Sequence, residues 1–587
     1  MRTRINATFL AAVVGVSVAA TATRDAAACG GTFCDSGPTA MPVDQKGENI
    51  LFVLDGKTVE AHVQIQYQGS ASRFAWVVPM PKVPEVEVGS QPLFDAMLAA
   101  SVPTFGFSQT SDQCGGSGGV AGSSFLNGDA SSGAGAGGSS GSGGGGPAVV
   151  LQEVVGAFEV TVLSGGTAVE VSKWLDDNGY QSIKTAPAKL DHYVQKNFVF
   201  VALKLTGAAG VDQIHPLVFR YQGDEPCVPL VLTAVAAVEN MGVRAFFLGD
   251  DRIVPVNYKH VELNPARIDW SSFGSNYDQV VARAADSPVA DGHAFATEYA
   301  GPSAAAKNFM IYSADWDAAP FATVEPVDVM ATLEIQGLAA CYGYGYCNFY
   351  HPLLLALLRQ YLPAPAQLDE GEFYDCLSCY ADQIDTSKWD GAAFAQDFDA
   401  RIVKPARHAD GLLDRWPYLT RLYTELSPAE MTEDPIFGAR TDLPQVTPLA
   451  MGSERTMCDG RRVMTLPDAR IVSETEFNGW PLFSSRMPWA EKIQEFPVGG
   501  EPITLVDNSQ LIDDELAAWN ASQWPAGLPP AGAGGAWSAS GLETQTEPAG
   551  GCACSVPLAS RGAGAALLAA LGIVTVARRR SASRRTR

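Results

Sequence analysis

Hydrophobic and polar residues alternate along the first clear elements of the chain, which is the pattern of half-buried β-strands. In residues 58–67, apolar side chains at the odd positions alternate with polar side chains at the even ones. The pair Asp55 and Gly56 separates this run from an apolar run at residues 50–54, which predicts a β-hairpin with one buried and one solvated face. His62 lies on the polar face, so we expect it to be solvated.

Further runs predict that the amino-terminal part of the chain is rich in strands. Ser90 precedes apolar residues at helical spacing and is predicted to cap a short helix, and residues 168–177 are predicted to form a second helix. Predicted strands occupy residues 74–78, 154–163, 198–205, 217–221, 230–236 and 243–248. Strands in the majority with mixed connections predict an α+β domain over residues 29–310.

From about residue 310 the pattern changes from strands to helices. One more strand is predicted at residues 328–336, and helices are predicted at residues 351–361, 392–403, 412–426 and 511–519. The predicted fold class is therefore α+β, with a strand-rich amino-terminal domain, a helix-richer second region at residues 311–524 and a transmembrane helix near the carboxyl end.

Two segments are too poor in apolar residues to form a packed core. Residues 115–147 consist mainly of glycine and serine and are predicted to be a flexible insert within the first domain. Residues 525–550 are rich in glycine, alanine and proline at their start and are predicted to be a linker or stalk.

The amino end has the pattern of a secretory signal peptide, predicted at residues 1–28. A basic start is followed by an apolar run and by small residues that end at Ala28, which predicts cleavage before Cys29. Cys29 then becomes either the site of lipid attachment or, as we expect, the partner of Cys34 in a disulfide.

The carboxyl end, residues 551–587, combines cysteines, an apolar run and a basic end. The apolar helix predicted at residues 562–577 would be about 24 Å long, near the lower limit for a transmembrane helix. The arginine cluster after it should stay in the cytoplasm. The residues expected to direct sorting and processing are Ala28, Cys552, Cys554, Arg578, Arg579 and Arg580.

This order of cysteine, short apolar helix and arginine cluster resembles the MYXO-CTERM sorting tail of myxobacteria. The resemblance implies delivery to the cell surface, with processing of the tail on the way. An ordinary membrane anchor is the alternative. The body itself is acidic, because the whole chain carries a net charge of −24 despite its basic ends. Such a charge repels nucleic acid and anionic lipid, so we expect no nucleic-acid partner.

Four cysteines and one histidine between residues 341 and 379 form the best local candidate for chemistry. Two thiol pairs and an imidazole could bind zinc, but an exported chain lies in an oxidising compartment, where such pairs form disulfides. We expect disulfides here, and metal binding and thiol redox chemistry are the alternatives. The residues concerned are Cys341, Cys347, Cys376 and Cys379, with His351 as the histidine. The tyrosines between Cys341 and Cys347 are expected to pack in the core or to lie in a disulfide-closed turn, with an exposed aromatic binding ribbon as the alternative.

Several spaced blocks of the first domain resemble the bacterial domain of unknown function 2330. The blocks begin with Cys-Gly-Gly-Thr-Phe-Cys at residues 29–34 and include Phe-Ala-Trp-Val-Val-Pro at 74–79 and Gly-His-Ala-Phe-Ala-Thr-Glu-Tyr at 292–299. The resemblance covers about residues 29–310. It implies an exported bacterial protein of unassigned activity, and no catalytic residue can be transferred from the family.

These observations favour a non-enzymatic protein of the cell envelope with a structural, adhesive or ligand-binding role. It is expected to be exported and held at the outer membrane or cell surface by its tail. Its expected partners are the membrane and the export and sorting machinery, and no catalytic residue, cofactor or metal is assigned. One alternative is a secreted metal-dependent hydrolase that uses the cysteines and histidine at residues 341–379. Another is a chaperone or assembly factor of the cell envelope.

Overall fold

Strands dominate the computed structural model, which describes residues 45–65, 74–112, 146–180, 186–207, 209–223, 226, 228–475 and 479–528. The strands are β1 (Gln45–Asp55), β2 (Thr58–Gln64), β3 (Ala75–Met80), β4 (Glu85–Val88), β5 (Thr104–Ser111), β6 (Ala148–Val155), β7 (Phe158–Ser164), β8 (Val199–Leu205), β9 (Leu217–Gln222), β10 (Ala237–Gly249), β11 (Arg252–Pro255), β12 (Lys259–Leu263), β13 (Ala294–Pro302), β14 (Ala339–Cys341), β15 (Cys347–Phe349), β16 (Tyr418–Leu426), β17 (Phe437–Arg440), β18 (Leu449–Thr456), β19 (Arg462–Thr465), β20 (Ile471–Ser473), β21 (Ala490–Glu495) and β22 (Ile503–Asp507). The helices are α1 (Gln91–Ser101), α2 (Ala168–Asp177), α3 (Ala186–Val194), α4 (Leu230–Thr233), α5 (Tyr277–Ala285), α6 (Val329–Ile335), α7 (Leu354–Tyr361), α8 (Glu370–Asp375), α9 (Gly391–Phe398), α10 (Lys404–Arg415) and α11 (Ser509–Gln523).

Ten strands form the large sheet, in the order β22-β21-β12-β13-β16-β10-β1-β2-β9-β4. Neighbouring strands are antiparallel except for β1 with β10 and β12 with β13, which are parallel. The predicted hairpin is confirmed, because β1 and β2 pair in antiparallel register around Asp55 and Gly56. β16 lies between β13 and β10, so the sheet contains strands from both sides of the boundary predicted at residue 310.

The other strands form two four-stranded sheets and two short ribbons. One sheet has the order β3-β8-β7-β6 and is antiparallel throughout, and the other has the order β20-β19-β18-β5 with β18 and β5 parallel. The ribbons are β11 with β17 and β14 with β15. The described part of the chain is thus mixed α and β, with the strand-rich amino-terminal part that the sequence predicts.

The two faces of the large sheet bury different partners. One face carries Phe52 and Val243, which belong to a core shared with Trp76 and Val201 of the β3-β8-β7-β6 sheet. The opposite face carries residues such as Leu51, which pack with apolar side chains of α1 and α10. Burial of these apolar surfaces supplies most of the driving force for the layered arrangement. We call the side under α1 and α10 the helix-covered face.

Several predicted elements have the wrong type or the wrong length. Residues 328–336 form α6 rather than a strand, because Val329, Met330 and Leu333 are buried at helical spacing. Residues 230–236 contain the short helix α4 rather than a strand. The helix predicted at residues 412–426 ends at Arg415, because Pro417 cannot continue it, and the chain then enters β16.

The helix predicted after Ser90 is confirmed. The Ser90 hydroxyl accepts a hydrogen bond from the backbone N–H of Leu93 at 3.3 Å, and α1 begins at the next residue. None of the helices in the described ranges has both the length and the hydropathy needed to cross a lipid bilayer. The predicted signal peptide, residues 1–28, and the predicted tail, residues 551–587, lie outside those ranges, as do nearly all of the predicted insert and stalk.

Candidate functional site

The four cysteines at residues 341–379 form two disulfides in the structure. Cys341 is bonded to Cys347 and Cys376 to Cys379. Their sulfur atoms therefore do not serve as thiolate ligands for zinc. His351 is buried, and its Nδ1 accepts a hydrogen bond from the backbone N–H of Leu353 at 3.3 Å. The other predicted disulfide residues, Cys29 and Cys34, lie outside the described residues.

The disulfide between Cys341 and Cys347 closes a loop with three tyrosines, at positions 342, 344 and 346. The backbone N–H groups of Gly343 and Gly345 donate to the carboxylate of Asp375 at 2.8 and 2.7 Å, which fixes the loop. The tyrosine side chains are 44, 87 and 50% exposed, in chain order. They therefore lie at the surface, in a turn closed by the disulfide, which is one of the two expected arrangements, and not in the core. The predicted sorting residues Ala28, Cys552, Cys554, Arg578, Arg579 and Arg580 lie outside the described residues.

A cavity of about 200 Å³ opens over the helix-covered face of the large sheet, and we call it the Arg244 cleft. Two arginines and two carboxylates converge in it, beside apolar and aromatic side chains. A larger depression of about 370 Å³ lies elsewhere, between residues 316–319 and 395–407, and its walls contain fewer facing charges. The Arg244 cleft is lined by Val102, Pro103, Phe105, Arg244, Phe273, Gly274, Ser275, Tyr277, Asp278, Glu298 and Arg421.

Strand geometry places the polar side chains of the cleft. Arg421, Tyr423 and Glu425 alternate along β16 and therefore point to the same face of the sheet. Arg244 of β10 lies directly opposite Tyr423. Glu298 is the residue at which the register of β13 shifts against β16, which is a β-bulge. A bulge redirects a side chain, and here it brings the Glu298 carboxylate to the guanidinium of Arg421.

The ion pair between Arg421 and Glu298 forms the floor of the cleft. The two side chains are only 3 and 1% exposed. Arg421 also donates from Nη1 to the hydroxyl of Ser101 at 3.3 Å. Burial raises the pKa of the Glu298 carboxyl, although the positive charges of Arg421 and Arg244 oppose that shift. The pair is thus held in a low-dielectric setting in which loss of either charge is costly.

Arg244 differs from Arg421, because its charge is not neutralised by an ion pair with a carboxylate. Its guanidinium lies over the ring of Tyr423, 4.4 Å from the ring centroid. Within the described ranges, no carboxylate oxygen lies within 4.0 Å of it. Arg244 therefore offers a fixed cation with unused N–H donors to the cleft.

Glu425 supplies a proton-exchanging group next to this cation. Its Oε1 accepts from the Tyr423 hydroxyl at 2.8 Å, and the same hydroxyl lies 3.2 Å from Asp278. Since the hydroxyl has one proton, it donates to one carboxylate at a time. Burial raises the pKa of Glu425 to about 7, and the charge of Asp278 acts in the same direction. Glu425 therefore changes charge near neutral pH.

Gly274 allows the backbone in the wall of the cleft to pack closely against Phe105. Gly274 has a φ of +76°, and a Cβ atom there would lie 2.3 Å from the ring of Phe105. Only glycine adopts this backbone conformation and this approach without strain. The ring of Phe105 in turn packs edge-on against the buried Trp270, with centroids 5.4 Å apart.

Sequence reasoning missed all the charged residues of the cleft. The local signal was present in β16, where polar Arg421, Tyr423 and Glu425 alternate with smaller or apolar residues. Leucines at positions 419, 422 and 426 have helical spacing as well, and that spacing led to the wrong helix prediction. The bulge at Glu298 has no signature in the sequence.

Comparisons with known proteins place part of this chain in a family. Residues 23–336 match the family described as "Uncharacterized protein conserved in bacteria (DUF2330)", which confirms the resemblance of the first domain, while the resemblance of the tail stays a prediction. No curated protein matches the chain. A solved structure of a mutated baculovirus P35 after caspase cleavage is similar over 37% of this chain and 76% of that chain, at 12% identity and a TM-score of 0.19, which is too low to support any argument. Because the family match spans more than half of the 587 residues, the chain belongs to the DUF2330 family of bacterial proteins.

Proposed function

We propose that this protein is an exported protein of the bacterial cell envelope whose folded body binds a small carboxylate-bearing ligand in the Arg244 cleft. The observation that carries the proposal is the fixed guanidinium of Arg244 in a cavity of about 200 Å³. A guanidinium binds a carboxylate with two parallel hydrogen bonds. The volume suits a ligand of a few carbon atoms, and Val102, Pro103 and Phe105 provide apolar contacts for its chain.

Export rests on the predicted signal peptide and on the disulfides. Cys341–Cys347 and Cys376–Cys379 are bonds of the kind that persist in oxidising compartments. The partners are then the export machinery, the sorting machinery that acts on the tail, and the membrane. The final location is the outer membrane or cell surface.

We propose binding rather than catalysis. The alternative, a metal-dependent hydrolase built on the cysteines at residues 341–379, needs free thiolates, and these sulfur atoms are in disulfides. Nothing in the geometry of that region favours it, so we do not propose it as a second function.

Replacing Arg244 by methionine should weaken ligand binding at least tenfold, because methionine keeps much of the packing on Tyr423 and removes the charge. The measurement is calorimetric titration with a panel of two- to five-carbon mono- and dicarboxylates, and Arg283→Met, an exposed arginine on α5, is the control.

Binding to the unaltered protein should also weaken as the pH rises through about 7, because Glu425 then becomes negative. Glu425→Gln should remove that pH dependence. If no carboxylate in the panel binds with a Kd below about 1 mM, which is the order expected for a weak complex, the cleft is not a carboxylate-binding site.

Mass spectrometry of the mature protein from its native envelope tests export. We expect the amino terminus at Cys29, and the same spectrum shows any lipid, the carboxyl end and the cysteine pairing. Finding the intact 587-residue chain in the cytosol would contradict the proposal.

A further inference from the structure

The structure assigns a binding site for a zinc-class divalent transition metal ion to Glu60, His62 and His408, which we call the β2–α10 site. It lies on the helix-covered face of the large sheet, but it shares no residue with the Arg244 cleft. The inference does not depend on the proposed function. One carboxylate oxygen and two imidazole nitrogens form its donor set.

Backbone geometry brings the three side chains together. Glu60 and His62 are two residues apart on β2 and therefore share a face, and they lie opposite Val53 and Leu51 of β1. α10 packs over that face and brings His408 to it. His62 is consequently 1% exposed, and the expectation that it is solvated is wrong.

The donor atoms converge on one point. Nε2 of His62 lies 2.6 Å from Oε1 of Glu60, and Nε2 of His408 lies 2.5 Å from the same oxygen. Ligand atoms around a tetrahedral zinc ion are about 3.3 Å apart, as follows from bond lengths of roughly 2.0–2.1 Å. Small rotations of the three side chains would therefore admit the ion. His408 is 38% exposed, so it can move and leaves a coordination position open to water.

The second carboxylate oxygen is held as metal ligands usually are. Nε of Arg220 donates to Oε2 of Glu60 at 2.8 Å, which leaves Oε1 directed at the histidines. Nη1 of Arg220 is paired with Glu87 at 2.6 Å. The two carboxylates and the one guanidinium together carry a single negative charge, which favours a cation between the histidines.

Hydrogen bonds alone leave the cluster poorly satisfied. Nη2 of Arg220 lies 3.1 Å from Nε2 of His408, and that nitrogen cannot accept from Arg220 while donating to Glu60. Nδ1 of the buried His62 has no hydrogen-bond partner among the described residues. Nε2, which faces Glu60, is therefore the nitrogen of this buried ring that is placed to bind a metal ion.

The test is metal binding by the purified, tag-free protein after treatment with a chelator. Titration with Zn²⁺ should show one site per chain, and Co²⁺ should give visible absorption bands of a four- or five-coordinate ion. His408→Ala should weaken Zn²⁺ binding about 100-fold and remove the Co²⁺ bands, whereas His293→Ala should change neither. Because His408 is partly exposed, its replacement is not expected to unfold the protein, and thermal unfolding of the metal-free variant verifies this.

A second variant tests the carboxylate ligand of the site. Glu60→Gln retains the size of the side chain and should also weaken Zn²⁺ binding by tenfold or more. Failure of the unaltered protein to bind Zn²⁺ or Co²⁺ stoichiometrically would overturn the inference. Equal binding by the His408→Ala and His293→Ala variants would overturn it as well.

Discussion

Replacing Arg421 by methionine is expected to lower the free energy of unfolding by about 3–5 kcal/mol at pH 7.5. Arg421 and Glu298 are an almost fully buried ion pair, so the variant leaves a carboxylate without a partner beneath the Arg244 cleft. Chemical denaturation with urea measures the loss. Arg415→Met is the matched control, because Arg415 pairs with Asp55 at the surface, where both side chains are more than half exposed. Its effect should stay below about 1 kcal/mol.

The double variant Arg421→Met, Glu298→Gln separates charge from packing. Removing both charges eliminates the uncompensated carboxylate, so the double variant should recover more than half of the lost stability. If the single and the double variants are equally unstable, the cost comes from lost packing, and the electrostatic account of the pair is incorrect.

Replacing Arg462 by methionine is the second change with a large expected effect, and this effect depends on pH. Arg462 bridges Glu454 and Glu474, at 2.9 and 3.0 Å, and the two carboxylates are 1 and 0% exposed. Burial raises the pKa of Glu474 to about 7 even with Arg462 present, and the neighbouring Glu454 contributes to the shift. Without the arginine, two buried carboxylates face each other at the β20-β19-β18-β5 sheet.

The sign of the pH dependence follows from the raised pKa. A carboxyl with a raised pKa in the folded state stabilises the fold below its ordinary pKa near 4.5, and that contribution is lost as the pH rises towards 7. Removing Arg462 should raise the pKa of Glu474 further, so the loss should continue above pH 7. We expect a cost of about 3 kcal/mol at pH 8 and a clearly smaller cost at pH 5.5, measured by urea denaturation at both values.

Arg486→Met serves as the control for Arg462. Arg486 is 76% exposed and pairs with Glu515 at 3.1 Å, so its removal should leave the unfolding curves almost unchanged at both pH values. A pH-independent loss in the Arg462 variant would show that the bridge acts through packing of the arginine stem rather than through its charge.

Sequence patterns predicted correctly those elements that are determined by residues close to them in the chain. The hairpin of β1 and β2 depends on alternation and on Asp55-Gly56, and the start of α1 depends on Ser90, all within a few residues. β16 was missed because its leucines have helical spacing, and its strand conformation is set by pairing with β10 and β13, whose residues are more than 100 positions away. Tertiary pairing overrode the local pattern there.

The candidate sites could not be predicted either, because tertiary packing brings their residues together from distant segments of the chain. His62 looks solvated because polar residues alternate around it, and only the packing of α10, more than 300 residues later, buries it. The Arg244 cleft takes its charged groups from β10, α5, β13 and β16. The spacing of residues within one segment does not show which side chains from different segments come into contact. The β-bulge that orients Glu298 depends on the pairing of two strands, β13 and β16.

The late position of β16 in the chain has a consequence for how the protein reaches its folded state. β13 and β10 can be joined only after residue 426 has been synthesised, so until then both strands present open edges that invite aggregation. Pairing over such sequence distances makes folding slow. The region shared with the family ends at residue 336 and lacks this joining strand, so it does not contain a complete central sheet. The β3-β8-β7-β6 sheet has all its strands by residue 205, so during synthesis it is complete long before the large sheet can close.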